Sequence, residues 1–209
     1  MDYWRHAKRV DRMTSGEQLF PVFLKLAGRP VLLVGGGTVA CAKLPELTRA
    51  GAEVTVVAPR VVDAIRRFAV RVVEREFVSE DLDGVWFVVA AATPEANRAV
   101  AAAAEGRLVF VNAVDDAGRA SAYTAGVFRR GGVTIAVSTE GRAPALAGLL
   151  REGLESLVPE DIEVWVVAAG QVRQQQRATG VPMAERRPLL LGALNRLYAA
   201  RGAQAAPTA

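Results

Sequence analysis

The sequence of 209 residues holds a single cysteine, Cys41, and a single histidine, His6. One cysteine excludes an internal disulfide and a thiolate metal cluster. With its only histidine near the N-terminus, a histidine zinc site, a Ser-His-Asp triad and a Cys-His pair are all disfavoured. Lysine is scarce as well: Lys8, Lys25 and Lys43 are the only ones, so arginine carries almost all the positive charge. Aromatic residues make up 6%, and no run of Lys and Arg exceeds two residues. That argues against a nucleic-acid surface. No strongly apolar, charge-free stretch of about 18 residues occurs, so no membrane-spanning helix is expected. The first 20 residues carry charges at Asp2, Arg5, Lys8, Arg9, Asp11 and Arg12. They contain no apolar core, so no secretory signal is expected and the cytoplasm is the default location.

What is present describes a globular chain: 51% hydrophobic and 23% charged residues, a balance that argues against disorder. The length suits one large domain or two small ones. Basic residues outnumber acidic ones by 26 to 22, for a net charge of +4. Residues 1–118 hold 15 of each sign, whereas residues 119–209 hold 11 basic and 7 acidic, so the whole excess lies in the second part. A solvated surface would account for it. An anionic partner docked by that half is the sharper alternative.

Along the chain, residues 1–16 are polar and aperiodic, a frayed tail. Leu19–Leu24 reads as a short apolar strand whose Pro21 suits a sheet edge. Pro30–Val34 is a continuous apolar run, the mark of a strand buried on both faces. A helix over 38–50 follows, ended by Gly51, with Pro45 inside it to kink or weaken a turn. Further strands are expected at 54–57, 70–75, 85–91 and 109–111, with helices at 61–68 and 94–104. This βαβ alternation with short links implies a parallel, doubly wound α/β sheet. After residue 115 the pattern changes. Two strands, 119–128 and 132–138, are joined by a turn at Arg129–Gly132, and helices are expected at 144–157, 160–178 and 182–200. Residues 202–209 read as a small-residue tail.

The run Val31-Leu32-Leu33-Val34-Gly35-Gly36-Gly37-Thr38-Val39-Ala40 matches G-x-G-x-x-A between a buried strand and a helix. Gly35 permits the tight turn, Gly37 lets backbone approach a pyrophosphate, and Ala40 lets the helix pack close to the strand. A diphosphate would sit on the helix N-terminus, where amides are free and the dipole is positive. A lone match is weak evidence, but here the strand, helix and βαβ context accompany it. The acid that normally ends the second strand and holds the ribose hydroxyls is missing. That place reads Ala58-Pro59-Arg60, and the next acid is Asp63. Arg60 would suit a 2′-phosphate, or it is a surface arginine, so NAD and NADP both remain open.

With these residues in view, the run from Gly35 to Pro59 resembles the opening of the precorrin-2 dehydrogenase family, which includes the dehydrogenase–chelatase half of siroheme synthase. Three more blocks follow in that family's order: Ala90-Ala91-Ala92-Thr93 with Asn97; Val111-Asn112-Ala113-Val114-Asp115; and Ala136-Val137-Ser138-Thr139 with Pro144–Ala147 and Leu150-Arg151. The resemblance spans roughly residues 19–160. It implies oxidation of precorrin-2 to sirohydrochlorin with NAD, on the route to siroheme or cobalamin. It also implies a homodimer of three parts: a Rossmann-like domain over 17–118, a small α+β dimerisation region over 119–152, and a helical C-terminal region over 153–201. By the same resemblance the catalytic acid–base residue falls on Asp115. Cofactor contacts fall on Gly35, Gly36, Gly37, Thr38, Val39, Pro59, Arg60 and Thr93, and substrate contacts on Asn112, Ser138, Thr139 and Arg142. The substrate carries eight carboxylates, which makes an arginine-rich half chemically sensible. The end of a parallel strand is also where ligands bind in open α/β sheets, which agrees with Asp115. Asp116 reads as a turn residue rather than a second acid.

Some positions depart from the family's pattern. Glu140-Gly141 stands where the family has Gly-Gly, and Ala143 where serine is usual. Some members also insert ferrous iron. Here Asp115 is the only obvious group for that step, so the reading favours the dehydrogenase alone, with no resident metal. The alternative from another class is a regulatory dinucleotide-binding module without catalysis. It would share the glycine turn but would not account for the block from Ser138 to Arg151.

Overall fold

The computed structural model describes residues 19–114, 116 and 118–204. The chain divides between Tyr123 and Thr124 into two compact units. The expected tail over 1–16, His6 and Asp115 lie outside the described residues.

The first unit is a five-stranded parallel sheet in the order β3-β2-β1-β4-β5. The strands are β1 (Pro30–Val34), β2 (Glu53–Val57), β3 (Arg71–Val73), β4 (Phe87–Ala90) and β5 (Phe110–Ala113). Side chains alternate across a strand, so an apolar run must feed two cores at once. Val31 and Leu33 of β1 join Val54 and Val56 of β2, Val89 of β4 and, from the first face, Ala40, Leu44, Leu47 and Ile65. Leu32 and Val34 join Val88, Ala90 and Val111 beneath Leu82, Val100 and Ala104 on the other. Helices α1 (Thr38–Arg49) and the short α2 (Asp63–Arg66) cover the first face, and α3 (Pro94–Glu105) covers the second. This is the doubly wound, Rossmann-like arrangement expected from the alternation. Each fully buried leucine, such as Leu33 or Leu44, contributes roughly 1.5–3 kcal/mol of transfer free energy. Pro45 sits on the exposed side of α1, and the helix runs on through it.

The second unit begins with an antiparallel hairpin, β6 (Gly126–Arg130) and β7 (Val133–Val137). Helices α4 (Pro144–Leu157), α5 (Ile162–Ala178) and α6 (Met183–Gln204) follow. The Gln176 amide, buried on α5, donates to the Arg186 carbonyl of α6 at 3.1 Å.

Several boundaries differ from expectation, each for a physical reason. Leu19–Leu24 forms no strand. Pro21 has no amide to donate to a ladder, and Phe20 and Phe23 are 86% and 73% exposed. The strand expected from residue 119 starts only at Gly126. The amides of Ser121 and Ala122 instead donate back to the Val111 carbonyl, both at 2.9 Å. The hairpin turn is Gly131-Gly132 alone, with φ of 51° and 81°, the left-handed pair that a two-residue turn needs. Residues 202–204 belong to α6 rather than to a tail, and residues 205–209 lie outside the described chain. No helix among the described residues is long and apolar enough to cross a membrane.

Candidate dinucleotide site

A cleft of about 810 Å³ opens at the carboxyl ends of β1, β2 and β4. Gly35, Gly36, Gly37, Pro59, Arg60 and Thr93 all line it. Thr38 and Val39 open α1 beside it with exposed side chains and are not among the lining residues.

The three glycines do different work. Gly35 is buried with φ of 132°, and its amide donates to the Val57 carbonyl at 2.9 Å. A Cβ there would stand 2.2 Å from the Ala91 carbonyl oxygen. Gly36, a variable position of the motif, is packed as tightly. A Cβ on it would stand 1.8 Å from the Arg60 carbonyl oxygen, and its own carbonyl accepts the Val62 amide at 2.8 Å. Gly37 is the opposite case: no heavy atom lies within 4 Å of its Cβ position. It caps α1, whose first turn holds no acidic residue. The helix amides and positive dipole end therefore face open space that a diphosphate would fit. Ala40, fully buried, brings α1 close to the sheet.

The opposite wall is the β4–α3 turn. Thr93 caps α3, its hydroxyl oxygen accepting the Ala96 amide at 3.3 Å, with Pro94 opening the helix. The Asn97 side chain, buried under the turn, accepts the Ala92 amide at 2.9 Å. Ala91 donates to Val34 at 2.8 Å and so holds the wall against β1. Glu95 also lines the cleft. Hydrogen bonding to its own backbone amide, and then Arg98, holds its carboxyl below the usual range.

An acid that sequence spacing does not reveal also lines the cleft, from beyond β3. Glu76, just past β3, lines the same cleft as Arg60. Its carbonyl accepts from Arg75 at 2.9 Å. Arg75 in turn makes a two-pronged pair with Asp81, at 2.8 and 2.5 Å. The Arg75 guanidinium holds the Asp81 carboxyl below the ordinary carboxylate range. Asp63 opens α2 instead and is not among the lining residues.

The residues flanking position 115 form the base of a closed loop. The Val114 amide donates to the Ala90 carbonyl at 2.9 Å, extending the pairing of β5 with β4. Ser121 accepts the Val111 amide on its hydroxyl at 2.8 Å, and the Asn112 side-chain amide donates to Ala122 at 3.0 Å. Asn112 is buried, and its Oδ1 has no hydrogen-bond partner among the described residues. Asp116 accepts from Arg119 at 2.7 Å within a turn closed by the Arg119 amide, as the turn reading anticipates.

The remaining residues expected at the substrate lie in the second unit. The Ser138 hydroxyl accepts the Glu140 amide at 3.0 Å, and that of Thr139 accepts the Ala143 amide at 3.1 Å. Arg142 pairs with Glu140. Glu140 has φ of 54°, a left-handed conformation costing a non-glycine residue roughly 1–2 kcal/mol. The family's glycine would avoid that cost. No group of three or more His, Cys, Asp or Glu suited to a metal occurs among the described residues.

A doubly wound sheet with a glycine turn at its switch point, and an open cleft over a helix N-terminus, defines a dinucleotide-binding protein. The comparisons agree. The family model described as "Putative NAD(P)-binding" matches residues 22–126, and that of the "Sirohaem biosynthesis protein central" region matches residues 130–157. The chain belongs to this NAD(P)-binding family, on the branch that carries the sirohaem biosynthesis region. It is 40% identical to siroheme synthase 3 of Aeromonas hydrophila over 181 residues, 83% of this chain and 39% of that protein. It is 38% identical to siroheme synthase of Photorhabdus laumondii over 184 residues, 86% of this chain and 39% of that one. The chain thus spans about two fifths of the curated relatives it matches. A solved structure, "SirC, precorrin-2 dehydrogenase", superposes with a TM-score of 0.66 at 28% identity, covering 83% of this chain and 88% of the other.

Proposed function

We propose that this chain oxidises precorrin-2 to sirohydrochlorin with NAD. The observation that carries the reading is the cleft itself, where the glycine turn, Pro59-Arg60 and Thr93 surround an uncompensated helix N-terminus. The siroheme synthase relatives and the precorrin-2 dehydrogenase neighbour supply the substrate class. Bound at this cleft, NAD supplies the hydride acceptor. The reaction removes one hydride and one proton from the macrocycle, giving NADH and a released proton. The α1 amides bind the diphosphate and Gly37 leaves it room. Asn97 and Thr93 hold the wall against which the cofactor is oriented. Asp115 takes the proton. In the second unit, Arg142 with Ser138 and Thr139 serves the carboxylates of the substrate. The buried side chain of Asn112 serves the loop base.

An anaerobic assay tests this. The full chain mixed with precorrin-2 and NAD is expected to produce NADH and sirohydrochlorin in equal amounts. Dinucleotide binding without turnover, in folded protein, would leave a regulatory module in its place. Ferrous ion added afterwards tests iron insertion as a separate step on the product.

The homodimer belongs to the same proposal. Leu146, Leu149, Leu150, Leu154 and Leu157 recur along one stripe of α4 and are 38–77% exposed. A contiguous apolar stripe of this kind marks an interface. Sedimentation equilibrium of the full chain is expected to give twice the chain mass; a single-chain mass at micromolar concentration would refute the dimer.

A further inference from the structure

We propose that Glu76 sets the preference of this cleft for NAD over NADP, its carboxylate accepting a hydrogen bond from the adenosine ribose hydroxyls and repelling a 2′-phosphate. The inference rests on the dinucleotide reading of the cleft. In a doubly wound fold the ribose-binding acid ordinarily ends the second strand. Here that position is Ala58-Pro59-Arg60, and no acid stands there. The strand order places β3 directly beside β2, with Val57 paired to Val73. The chain leaving β3 therefore emerges next to the chain leaving β2, and Glu76 reaches the cleft that Arg60 also lines. The carboxylate is supplied from the neighbouring strand.

The alternative reader is Arg60, which would favour a 2′-phosphate. Both residues line the cleft, whereas Glu95 belongs to the opposite wall and is paired with Arg98, so Glu76 is the carboxylate left to face a ligand beside Arg60. A diphosphate is met by the α1 N-terminus, but a third, doubly charged phosphate at the ribose would stand beside the Glu76 carboxylate and be repelled by it. Arg75 cannot make up the difference, because its guanidinium is committed to Asp81 and to the Glu76 carbonyl. That last bond also fixes the backbone at Glu76. Among the described residues the Glu76 carboxylate pairs with no cation, so it is free to face a ligand.

The test is calorimetric titration of the full chain with NAD and with NADP, without precorrin-2. The wild type is expected to bind NAD at least about tenfold tighter. Glu76→Gln should narrow that ratio about tenfold, the size of one lost charge-assisted hydrogen bond and its repulsive counterpart. Glu76→Lys should reverse the preference. Glu76 is exposed, so both variants are expected to melt as the wild type does. An unchanged ratio in Glu76→Gln, or a wild type that prefers NADP, overturns the assignment while leaving the dinucleotide site standing. Folded protein that binds neither cofactor overturns the dinucleotide reading and the role of Glu76 together.

Discussion

Replacing Gly36 by alanine is expected to cost both stability and cofactor binding. The added Cβ would lie 1.8 Å from the Arg60 carbonyl oxygen and 3.0 Å from the Ala58 Cβ. The nearest obstacle is backbone, so no rotamer change relieves it. Two turns meet here, joined by the Val62 amide on the Gly36 carbonyl, and neither can retreat without pulling a strand end. Overpacking ordinarily costs about 1–3 kcal/mol, and more where backbone must move. For a chain of this length that is a fall in melting temperature of roughly 2–12 °C. NAD binding should be lost with it, because Arg60 and the glycine turn both line the cleft. Gly37→Ala separates the two effects. Its Cβ meets nothing in the protein, so the melting temperature should hold. The methyl group would take space that the diphosphate needs, so NAD affinity should fall at least about tenfold, the equivalent of about 1.4 kcal/mol. Thermal melts and NAD titrations of both variants check this. A Gly36→Ala protein that melts and binds normally would show that the turn is looser than its geometry states.

These two glycines also show what is and is not legible in a sequence. The turn is legible because it is local: a buried apolar strand, a glycine and a helix start follow one another within ten residues. Gly37 is legible as the point of close approach for the same reason. Gly36 is not, because the group that forbids a side chain there is the carbonyl of Arg60, on the next βα turn. Glu76 is hidden in the same way. Spacing looks for an acid at the end of β2, whereas strand order delivers one from β3. The strands themselves are readable where both faces are buried, as in Pro30–Val34, since an unbroken apolar run of that length needs cover on both sides. Leu19–Leu24 misleads because a run of that composition looks the same when it has no partner. Residues 119–125 mislead because their amides close a loop on Val111, a pairing set by the end of β5 and not by their own pattern. In the second unit Ser138, Thr139 and Arg142 stand out by family resemblance. Their motif does not show that Glu140 adopts a left-handed backbone and takes Arg142 as its partner, since both facts come from the turn into α4.

Asp115→Asn is expected to lower turnover of precorrin-2 by about 10²–10⁴, the usual worth of a positioned acid–base group, while NAD affinity stays within about threefold. The substitution keeps the size of the side chain and removes its basicity. Asp115 itself lies outside the described residues, but its loop is anchored by residues that are described. Val114 is held to the Ala90 carbonyl, at the ends of β4 and β5. On the far side of the loop, Ser121 and Ala122 are tied back to Val111 and Asn112. The described residues on both sides of position 115 are therefore held at the carboxyl end of the sheet, where ligands bind in such folds. Few other groups can take the proton. The chain has one histidine, His6, and one cysteine, Cys41, which packs against the core of the first face. Asp116, the adjacent carboxylate, is paired with Arg119 in its own turn. Asp116→Asn should therefore change turnover by less than about threefold, which makes it the control for a general disturbance of the loop. Single-turnover measurements with saturating NAD separate chemistry from binding. If Asp115→Asn turns over at the wild-type rate and Asp116→Asn is the variant that fails, the proton goes to Asp116 and the assignment carried by the family resemblance is wrong by one residue. If both variants keep full activity, the base lies outside this loop.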